Sequence, residues 1–497
     1  MLKPKQIKHV IDNGDILMGP ILVSVEPSLT KPVITDDSGI FQSGTEQAIN
    51  TVLNIIQGAK EVLCISSFMI QKSDVITEIE KAIERGVRVY MLTAPEQQVN
   101  SRYEDDNSDL SERNVALINL LKKLGQKMLI KTAEHLHSKF MLADPATNPR
   151  GAVFTNNLTK RAMSENLELT VKLEPDAVKE LFHQFLTGFW LEAEREVWLE
   201  GSGSRLRTQN KHPEFINPEY SPEKLCWTMK ESKLLSSILI KAIESAQRSI
   251  SLSAWSFSME STVTQEILKR ARERISVRVF TRPSKGNAVF VKEIINAGGQ
   301  VFCHDLMHAK SILVDDNFGL IMTANFSPLG LDSGFETGVL LNNKQINVLD
   351  RIHTEWVSRA LYHSEKSIQF RELRQSYLGL DTLMTKHDRP APEKVITHNE
   401  AIYASSMLDY KNGFYRFQRS ADRPTTIKEI HTFNLLAPKL LDRSKNIGKT
   451  DDKHFDLYEL NGKKYLLVQN EEDIDLAIQL EQKHRFIAVT LPQTKSN

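Results

Sequence analysis

The chain contains the pattern His-x-Lys-x-x-x-x-Asp twice, and this repeat constrains the fold more than any other feature. The first copy occupies residues 137–144 and the second residues 308–315. A turn, a second apolar strand and a Thr-Asn-Asn or Thr-x-Asn segment follow each copy. In the second copy, the spacing of His308 and Lys310 predicts a strand that places both side chains on one face of a sheet. An imidazole, an ammonium group and a carboxamide at neighbouring strand ends suit phosphate chemistry.

The segments that precede the two copies also repeat. Residues 49–92 and 235–280 each contain an amphipathic helix, a buried strand, a second helix and a second strand. In the second strands, residues 87–89 and 277–279 are both Val-Arg-Val. Two long copies without a short period indicate an internal duplication of an α/β unit rather than a solenoid.

With these residues the sequence resembles the phospholipase D superfamily, whose active site is built from two His/Lys/Asp motifs. The family usually has Gly-Ser before the asparagine, whereas this chain has Phe154-Thr155 and Met322-Thr323, which keep the hydroxyl and lose the glycine. The resemblance implies two α/β/α units, each with a mixed sheet. It further implies that they pack about a pseudo-twofold axis that brings both His/Lys pairs into one cleft.

The same resemblance implies an enzyme that cleaves phosphodiesters without a metal, through a phosphohistidine intermediate. We expect His137 to attack phosphorus and His308 to protonate the leaving oxygen, because in many members the N-terminal histidine is the nucleophile. Lysine and asparagine side chains would hold the non-bridging oxygens as charge builds on them. The candidate catalytic residues are His137, His308, Lys139, Lys310, Asn157 and Asn325, and the candidate supporting residues are Asp144, Asp315, Glu168, Glu336, Thr155 and Thr323.

The supporting residues have simpler interpretations as well. An aspartate at a strand end often only caps a turn. A carboxylate such as Glu168 or Glu336 is more informative, because a hydrogen bond to one imidazole nitrogen fixes which nitrogen faces the phosphate. Lys160 and Arg161 could extend an anion-binding groove or could simply be a charged pair at a helix start.

A metal site is a further alternative for the histidines. It would use His135 with His137, or His304 with His308. No cysteine or carboxylate at ligand spacing completes such a set, so the sequence predicts neither a metal nor another cofactor.

Composition sets the broader limits. The 497 residues suffice for two to four domains. Lys+Arg and Asp+Glu both number 63, so any nucleic-acid-binding surface must be local. Three scattered cysteines fit a reducing compartment. The sequence shows neither a signal-peptide pattern nor an apolar stretch of about 18 residues that could cross a membrane. We therefore expect a cytoplasmic protein without a transmembrane segment.

The order of sequence features along the chain predicts five segments. The last of them contains a hairpin of basic and aromatic residues at positions 409–419. An ordinary solvated sheet is the favoured interpretation of this hairpin, and base stacking is the alternative. The segments are a β-rich N-terminal arm (1–42), a first phospholipase D-like unit (43–200), a linker (201–232), a second such unit (233–380) and a small α+β C-terminal module (381–497).

The substrate stays open between two classes. Residues 155–159 and 166–169 resemble the nuclease-like branch found with microbial nucleic-acid processing or defence machinery, so a nuclease acting on DNA or RNA is favoured. The alternative is a cytosolic phospholipase D or phosphatidyltransferase that acts on phospholipids. A catalytically idle scaffold is less favoured because both motifs are intact. The C-terminal module could bind protein partners.

Overall fold

The structure is a computed structural model in which the chain forms two units. The larger unit is Pro27–Leu361, and the smaller combines Met1–Glu26 with Tyr362–Asn497. The residues that the structure describes are 17–18, 20–27, 38–71, 73–95, 123–125, 127–200, 203–208, 222–229, 232–366, 368–369, 377–379, 395–398, 401–404, 406–411, 414–418, 445–450, 455–460, 463–468, 476 and 487–490.

Two short strands of the smaller unit, β1 (Leu17–Met18) and β2 (Ile21–Ser24), come first in the chain. The larger unit then begins with a mixed sheet and its helices. These elements are β3 (Ile40–Gln42), α1 (Glu46–Gly58), β4 (Val62–Ser67), α2 (Asp74–Glu84), β5 (Arg88–Thr93), β6 (Leu129–Thr132), β7 (Phe140–Ala143), β8 (Arg150–Phe154), α3 (Lys160–Ser164), β9 (Leu169–Lys172), α4 (Pro175–Thr187), β10 (Arg195–Glu200) and β11 (Gly203–Thr208). The strand order is β11-β10-β6-β5-β4-β7-β8-β9-β3.

A second mixed sheet completes the larger unit. Its elements are β12 (Leu225–Met229), β13 (Ser232–Lys233), α5 (Leu234–Ser245), β14 (Ser249–Ser253), α6 (Thr262–Arg272), β15 (Ser276–Thr281), α7 (Ala288–Asn296), β16 (Gln300–Cys303), β17 (Ser311–Val314), β18 (Phe318–Met322), β19 (Glu336–Leu340) and α8 (Asn343–Arg359). The order β16-β15-β14-β17-β18-β19 repeats β6-β5-β4-β7-β8-β9 of the first sheet. In both sheets the first three strands of this run are parallel and the other three are antiparallel to their neighbours. The predicted duplication of an α/β unit is confirmed, and both copies lie within the larger of the two structural units.

The smaller unit is rich in β-structure over its described residues. Its remaining strands are β20 (Tyr362–Glu365), β21 (Ile368–Gln369), β22 (Tyr377–Gly379), β23 (Val395–His398), β24 (Ala401–Ala404), β25 (Ser406–Lys411), β26 (Phe414–Gln418), β27 (Lys445–Lys449), β28 (Asp456–Leu460), β29 (Lys463–Val468) and β30 (Ile487–Thr490). The predicted hairpin at residues 409–419 is present as the antiparallel pair β25 and β26. The sequence also predicts helices through residues 117–121 and 474–480, which lie outside the described residues apart from Leu476.

Local sequence signals account for the helices. The side chain of Thr45 accepts a hydrogen bond from the amide of Ala48 and so caps α1, while Val52 and Ile56 bury its apolar face. Asn342 and Gln345 form a capping box at the start of α8. The helices that apolar periodicity predicts within residues 49–92 and 235–280 are confirmed as α1, α2, α5 and α6.

The predicted segment boundaries differ from the structure at three places. β3 lies inside the predicted N-terminal arm but pairs with β9 and so extends the first sheet. β11 and β12 lie inside the predicted linker, where their polar, proline-containing surroundings concealed them. The smaller unit also combines residues from both ends of the chain. A linear scan for composition shifts does not detect such a long-range association.

Asp144 and Asp315 anchor equivalent turns in the two halves. Each carboxylate accepts three backbone N–H bonds, Asp144 from residues 60–62 and Asp315 from residues 247–249, at 2.7–2.9 Å. Both aspartates adopt a left-handed backbone conformation, with φ of 46° and 47°. Each follows the last residue of its strand, whereas the histidine and lysine precede the first, so the aspartates support the fold at the other end of the strand.

We expect Asp144→Asn and Asp315→Asn each to lower the free energy of unfolding by about 2 kcal/mol, because an amide replaces a carboxylate that accepts charge-assisted bonds from partly buried N–H groups. Urea unfolding followed by circular dichroism measures this change. Asp316→Asn is the matched control, because Asp316 makes an exposed ion pair with Arg248. Equal destabilisation by all three variants would contradict the anchoring role.

Candidate active site

Both histidine–lysine motifs lie just before their strands rather than inside them. β7 begins at Phe140 and β17 at Ser311. The prediction that His308 and Lys310 alternate within a strand is therefore wrong. The physical reason is that the backbone here pairs with the other half of the unit, because the amides of His308 and Ala309 both donate to the carbonyl of Leu167, at 3.1 and 2.8 Å.

The backbone contacts between the two halves are reciprocal. Leu136 forms an isolated parallel bridge with Phe335, and Leu167 forms one with Met307. The amide of His137 donates to the carbonyl of Phe335 at 3.0 Å. In each bridge, the residue before a motif histidine meets the residue before a motif glutamate. This reciprocity is the pseudo-twofold relation that the family resemblance implies, and it brings both motifs together.

The two carboxylates bind the histidines crosswise. Glu336 of the second half lies 2.8 Å from Nδ1 of His137 in the first half. Glu168 of the first half lies 2.6 Å from Nδ1 of His308 in the second half. Because each carboxylate accepts the Nδ1 proton, each imidazole keeps its Nε2 lone pair for a substrate. Neither half alone holds a complete histidine–carboxylate pair.

The threonine hydroxyls orient these carboxylates. Oγ1 of Thr155 donates to Oε2 of Glu168 at 2.6 Å, and Thr323 donates to Oε2 of Glu336. The same hydroxyls accept backbone N–H bonds from Leu169 and Thr337, the residues that follow the glutamates. The threonines thus fix the carboxylates rather than approach a ligand directly.

Two buried lysines lie beside the histidines. Lys139 and Lys310 are both 0% exposed, and each ammonium group donates to the carbonyl of the histidine in its own motif. Nζ of Lys310 also lies 3.0 Å from Nδ1 of His308. The Nδ1 proton belongs to the bond with Glu168, because that contact is shorter and its acceptor is an anion.

The two candidate asparagines follow equivalent strands, β8 and β18. Asn157 is buried, and Asn325 is half-buried. Within the described part of the chain, Oδ1 of Asn325 accepts no hydrogen bond, so this oxygen is available to accept one from a ligand. Gly330 packs so closely against this segment that a Cβ atom there would lie 2.5 Å from the carbonyl oxygen of Asn325. A side chain at position 330 would therefore displace the asparagine.

Burial keeps both histidines neutral in the free site. It lowers the pKa of His137 to about 4 and that of His308 to about 3, although the glutamates act in the opposite direction. Burial alone would raise the pKa of Glu168, but His308, Lys310 and Thr155 together lower it to about 2. The carboxylates are therefore ionised at neutral pH, and the imidazoles are available as nucleophile or base.

The low histidine pKa predicts the acidic limb of the pH profile. A nucleophilic His137 must be neutral, so activity is lost as the pH falls through its pKa. We expect this limb of kcat/KM near pH 4 rather than near 6.5, the value of an ordinary histidine. A profile between pH 3.5 and 8, measured with a substrate whose leaving group needs no proton, checks this. A limb at 6.5 or above would contradict the burial argument.

Sequence reasoning missed several residues that shape the site. Phe68 and Trp255 follow equivalent strands, and their rings lie 5.5 Å from His137 and 6.0 Å from His308, respectively. Gln184 of α4 donates to the carbonyl of Glu336 and accepts the hydroxyl proton of Thr337. An aromatic residue within two positions of the end of β4 and of β14 was a detectable signal. Gln184 gave none, because its partners are far away in the sequence.

The remaining sequence candidates lie at the margin. Lys160 and Arg161 are exposed on α3, and Arg161 forms an i,i+4 ion pair with Glu165. In the described ranges, no group of three or more His, Cys, Asp or Glu residues is arranged to hold a metal ion. A search of the same residues for a helix long and apolar enough to cross a membrane finds none.

Comparisons with known proteins place the chain in a family. A family profile described as cardiolipin synthase, PLD-like domain, matches residues 52–190 and 239–355, which is more than half of the chain. Cardiolipin synthase A of Buchnera aphidicola subsp. Baizongia pistaciae is 24% identical over 182 residues. That alignment covers 33% of this chain and 37% of the relative, so the chain matches little more than a third of that protein's length.

The solved structures that match the chain are distant from it in sequence. Phosphatidylserine synthase of Haemophilus influenzae Rd KW20 is 13% identical with a TM-score of 0.47, covering 72% of this chain and 91% of that one. The phospholipase D family member Nuc of Salmonella typhimurium is 16% identical with a TM-score of 0.25, covering 29% of this chain and 97% of that one. With its duplicated motif and the two matched profile regions, the chain belongs to the phospholipase D superfamily and has the superfamily's fold of two α/β/α halves.

Proposed function

We propose that this enzyme transfers or hydrolyses the phosphatidyl groups of phospholipids. Of the two substrate classes that the sequence leaves open, we thus prefer phospholipids over nucleic acids. The crossed pairs His137–Glu336 and His308–Glu168 carry the proposal, because together they supply one nucleophilic and one proton-transferring imidazole in a single centre. The family profile and the cardiolipin synthase relative both support a phospholipid substrate over a nucleic acid.

The reaction has two balanced steps. Nε2 of His137 attacks phosphorus, the bond from phosphorus to the leaving alcohol breaks, and Nε2 of His308 delivers a proton to the departing oxygen. An incoming water or alcohol then returns its proton to His308 as its oxygen bonds to phosphorus, and the bond between phosphorus and His137 breaks. The negative phosphate favours protonation of His308 when substrate is bound, which offsets the effect of burial.

The charges of the site fit this sequence of steps. The phosphodiester brings a negative charge to a buried place where Lys139 and Lys310 supply positive charge beside the histidines. Asn157 and Asn325 would contribute amide donors to the non-bridging oxygens. Lysine charge can thus stabilise the pentacoordinate state without a divalent ion.

Two exposed apolar side chains also favour a lipid. Val289 is 42% exposed at the start of α7, and Leu329 is 36% exposed just after Asn325. They lie on the segments that follow β15 and β18, two strands that end at the edge of the sheet where β17 begins after His308. Apolar side chains there suit acyl chains, whereas a nucleic-acid groove would place cations along a backbone.

The test is incubation of the purified chain, in excess chelator, with phosphatidylglycerol vesicles, DNA and RNA. We expect lipid head-group release or transfer that survives chelation, and no turnover with His137→Asn or His308→Asn. Cleavage of DNA or RNA with untouched lipid would overturn the phospholipid proposal in favour of the nuclease.

A further inference from the structure

A buried cluster of one histidine and three serines lies beneath the His308 side of the site. His353 of α8 is 0% exposed, and its two ring nitrogens lie 2.8 Å from the hydroxyls of Ser251 and Ser311. The hydroxyl of Ser253 lies 2.7 Å from that of Ser311. Burial lowers the pKa of His353 to about 3, so the ring is neutral at neutral pH. A neutral imidazole has one donor and one acceptor nitrogen, so both serine contacts can be hydrogen bonds.

The first half builds the equivalent place from apolar side chains. Phe140 takes the motif position of Ser311. Phe185 takes the position of His353, because each follows the glutamate of its own half at the same distance along the chain. Both phenylalanines are buried, so this fold does not require hydrogen bonds at this place. Hydrogen bonds are directional, so a buried cluster in which each side chain has a partner fixes positions more narrowly than apolar packing does.

The cluster holds the ends of the two strands that lead to His308. Ser311 is the first residue of β17 and directly follows Lys310, whose ammonium group donates to the carbonyl of His308. Ser253 is the last residue of β14 and precedes Trp255 by two positions, and the Trp255 ring lies 6.0 Å from that of His308. The two strands pair with Ser253 opposite Ser311. Displacement of the cluster would therefore move both the lysine and the aromatic ring beside the histidine.

The acid–base histidine depends on such support more than the nucleophile does. In the second step His137 is held by its covalent bond to phosphorus, whereas only noncovalent contacts hold His308. His308 also serves two proton transfers, one to the departing oxygen and one from the incoming oxygen. Each transfer needs the ring nitrogen within about 3 Å of the oxygen, so a small displacement slows the reaction sharply.

We propose that His353 is a positioning residue for His308, because its hydrogen bonds with Ser251 and Ser311 keep Lys310 and His308 in place for both proton transfers. This inference rests on the roles that the proposed function gives to the two motif histidines, and it applies to any phosphodiester substrate. His353 itself takes part in no bond change.

The experiment separates the two steps with a nitrophenyl phosphodiester, whose first step needs no proton from His308. The burst of nitrophenolate reports formation of the phosphohistidine, and steady-state turnover reports its breakdown. His353→Phe keeps a ring, removes both hydrogen-bonding nitrogens and copies the residue at the equivalent place of the first half. We expect a burst rate within about threefold of wild type, a fall of about 10- to 100-fold in steady-state turnover, and accumulation of phosphate on His137.

Three further variants separate positioning from general stability. His353→Gln keeps one donor and one acceptor, and we expect it to recover part of the steady-state turnover. Ser311→Ala should show the same split between burst and turnover, and it carries the test if His353→Phe does not fold. Leu239→Ala is the control for lost stability, because Leu239 is buried on α5 and is not a member of the cluster, and it should change neither phase.

The outcomes distinguish this inference from the proposed function. An equal fall of burst and steady-state turnover in the folded variant, or no fall in either, would overturn the positioning role of His353 alone. A wild-type chain that forms no phosphohistidine on His137 would overturn the roles in the proposed function and this inference together.

Discussion

His137→Asn and His308→Asn should each lower kcat by at least about 10⁴-fold, and the double variant should fall little further. The reason is that the two imidazoles act on one phosphorus atom in sequence, so removal of either stops the same cycle. The crossed carboxylates and the reciprocal backbone bridges exclude two independent centres. Turnover of a phosphatidyl substrate by each purified variant measures the effect.

A matched control is His183→Asn, which replaces a partly exposed histidine on α4. We expect it to keep activity within a few-fold of wild type, and each variant needs the circular dichroism spectrum of the folded chain. Near-full activity in one motif variant would mean that the other motif suffices. Additive losses in the double variant would mean that the histidines act in separate reactions.

The second large effect concerns the glutamates. Replacement of each glutamate should impair the histidine of the other half of the duplication rather than the histidine of its own half. Glu336→Gln should behave like loss of the nucleophile, because Glu336 holds His137. Glu168→Gln should behave like loss of the acid, because Glu168 holds His308. Each variant should lower kcat by about 10³- to 10⁴-fold on a lipid, because a carboxamide no longer fixes the imidazole in the required tautomer.

Leaving-group dependence distinguishes these two losses. A nitrophenyl phosphodiester needs no proton for its departure, so the first step should largely recover with Glu168→Gln and not with Glu336→Gln. The burst of nitrophenolate in a stopped-flow experiment reports that step. Glu165→Gln is the control, because Glu165 is exposed and pairs only with a surface arginine among the contacts described. Recovery by Glu336→Gln instead would show that His137, the histidine that Glu336 contacts, is the acid and not the nucleophile.

The two halves are not interchangeable beneath the site. In the first motif Phe140 packs edge-on against Phe185, with ring centroids 6.2 Å apart. The same motif position in the second copy is Ser311, which hydrogen-bonds to the buried His353 at 2.8 Å. Aromatic packing thus supports the first motif, whereas a hydrogen bond supports the second. This difference is consistent with different catalytic roles for His137 and His308.

The sequence predicted most of what depends on local pattern. The duplicated order of helices and strands followed from apolar periodicity, and the motif histidines, lysines and glutamates followed from their repeated spacing. Both glutamates were expected to orient an imidazole, and in the structure each carboxylate lies within hydrogen-bond distance of one. The aspartates were open between turn caps and site support, and their contacts with residues 60–62 and 247–249 make them anchors of the turns.

What escaped prediction depends on tertiary contacts. No spacing shows that Glu168 would contact His308 rather than His137, because that choice is made where the two halves meet. β3 and β12 join their sheets through partners far along the chain, so composition suggested an arm and a linker instead. The nuclease preference rested on short polar segments such as 155–159, in which Thr155 orients a carboxylate rather than selecting a substrate.

The covalent intermediate gives the most direct test of the central claim, that His137 and His308 work in one centre as nucleophile and acid. Folded wild type, His137→Ala and His308→Ala are mixed with the nitrophenyl phosphodiester, quenched and digested, and the phosphorylated peptide is identified by mass spectrometry. We predict label on His137 in wild type, accumulation of that label with His308→Ala because the base for its hydrolysis is missing, and no label with His137→Ala. Label on His308, or turnover without label on either histidine, would contradict the account.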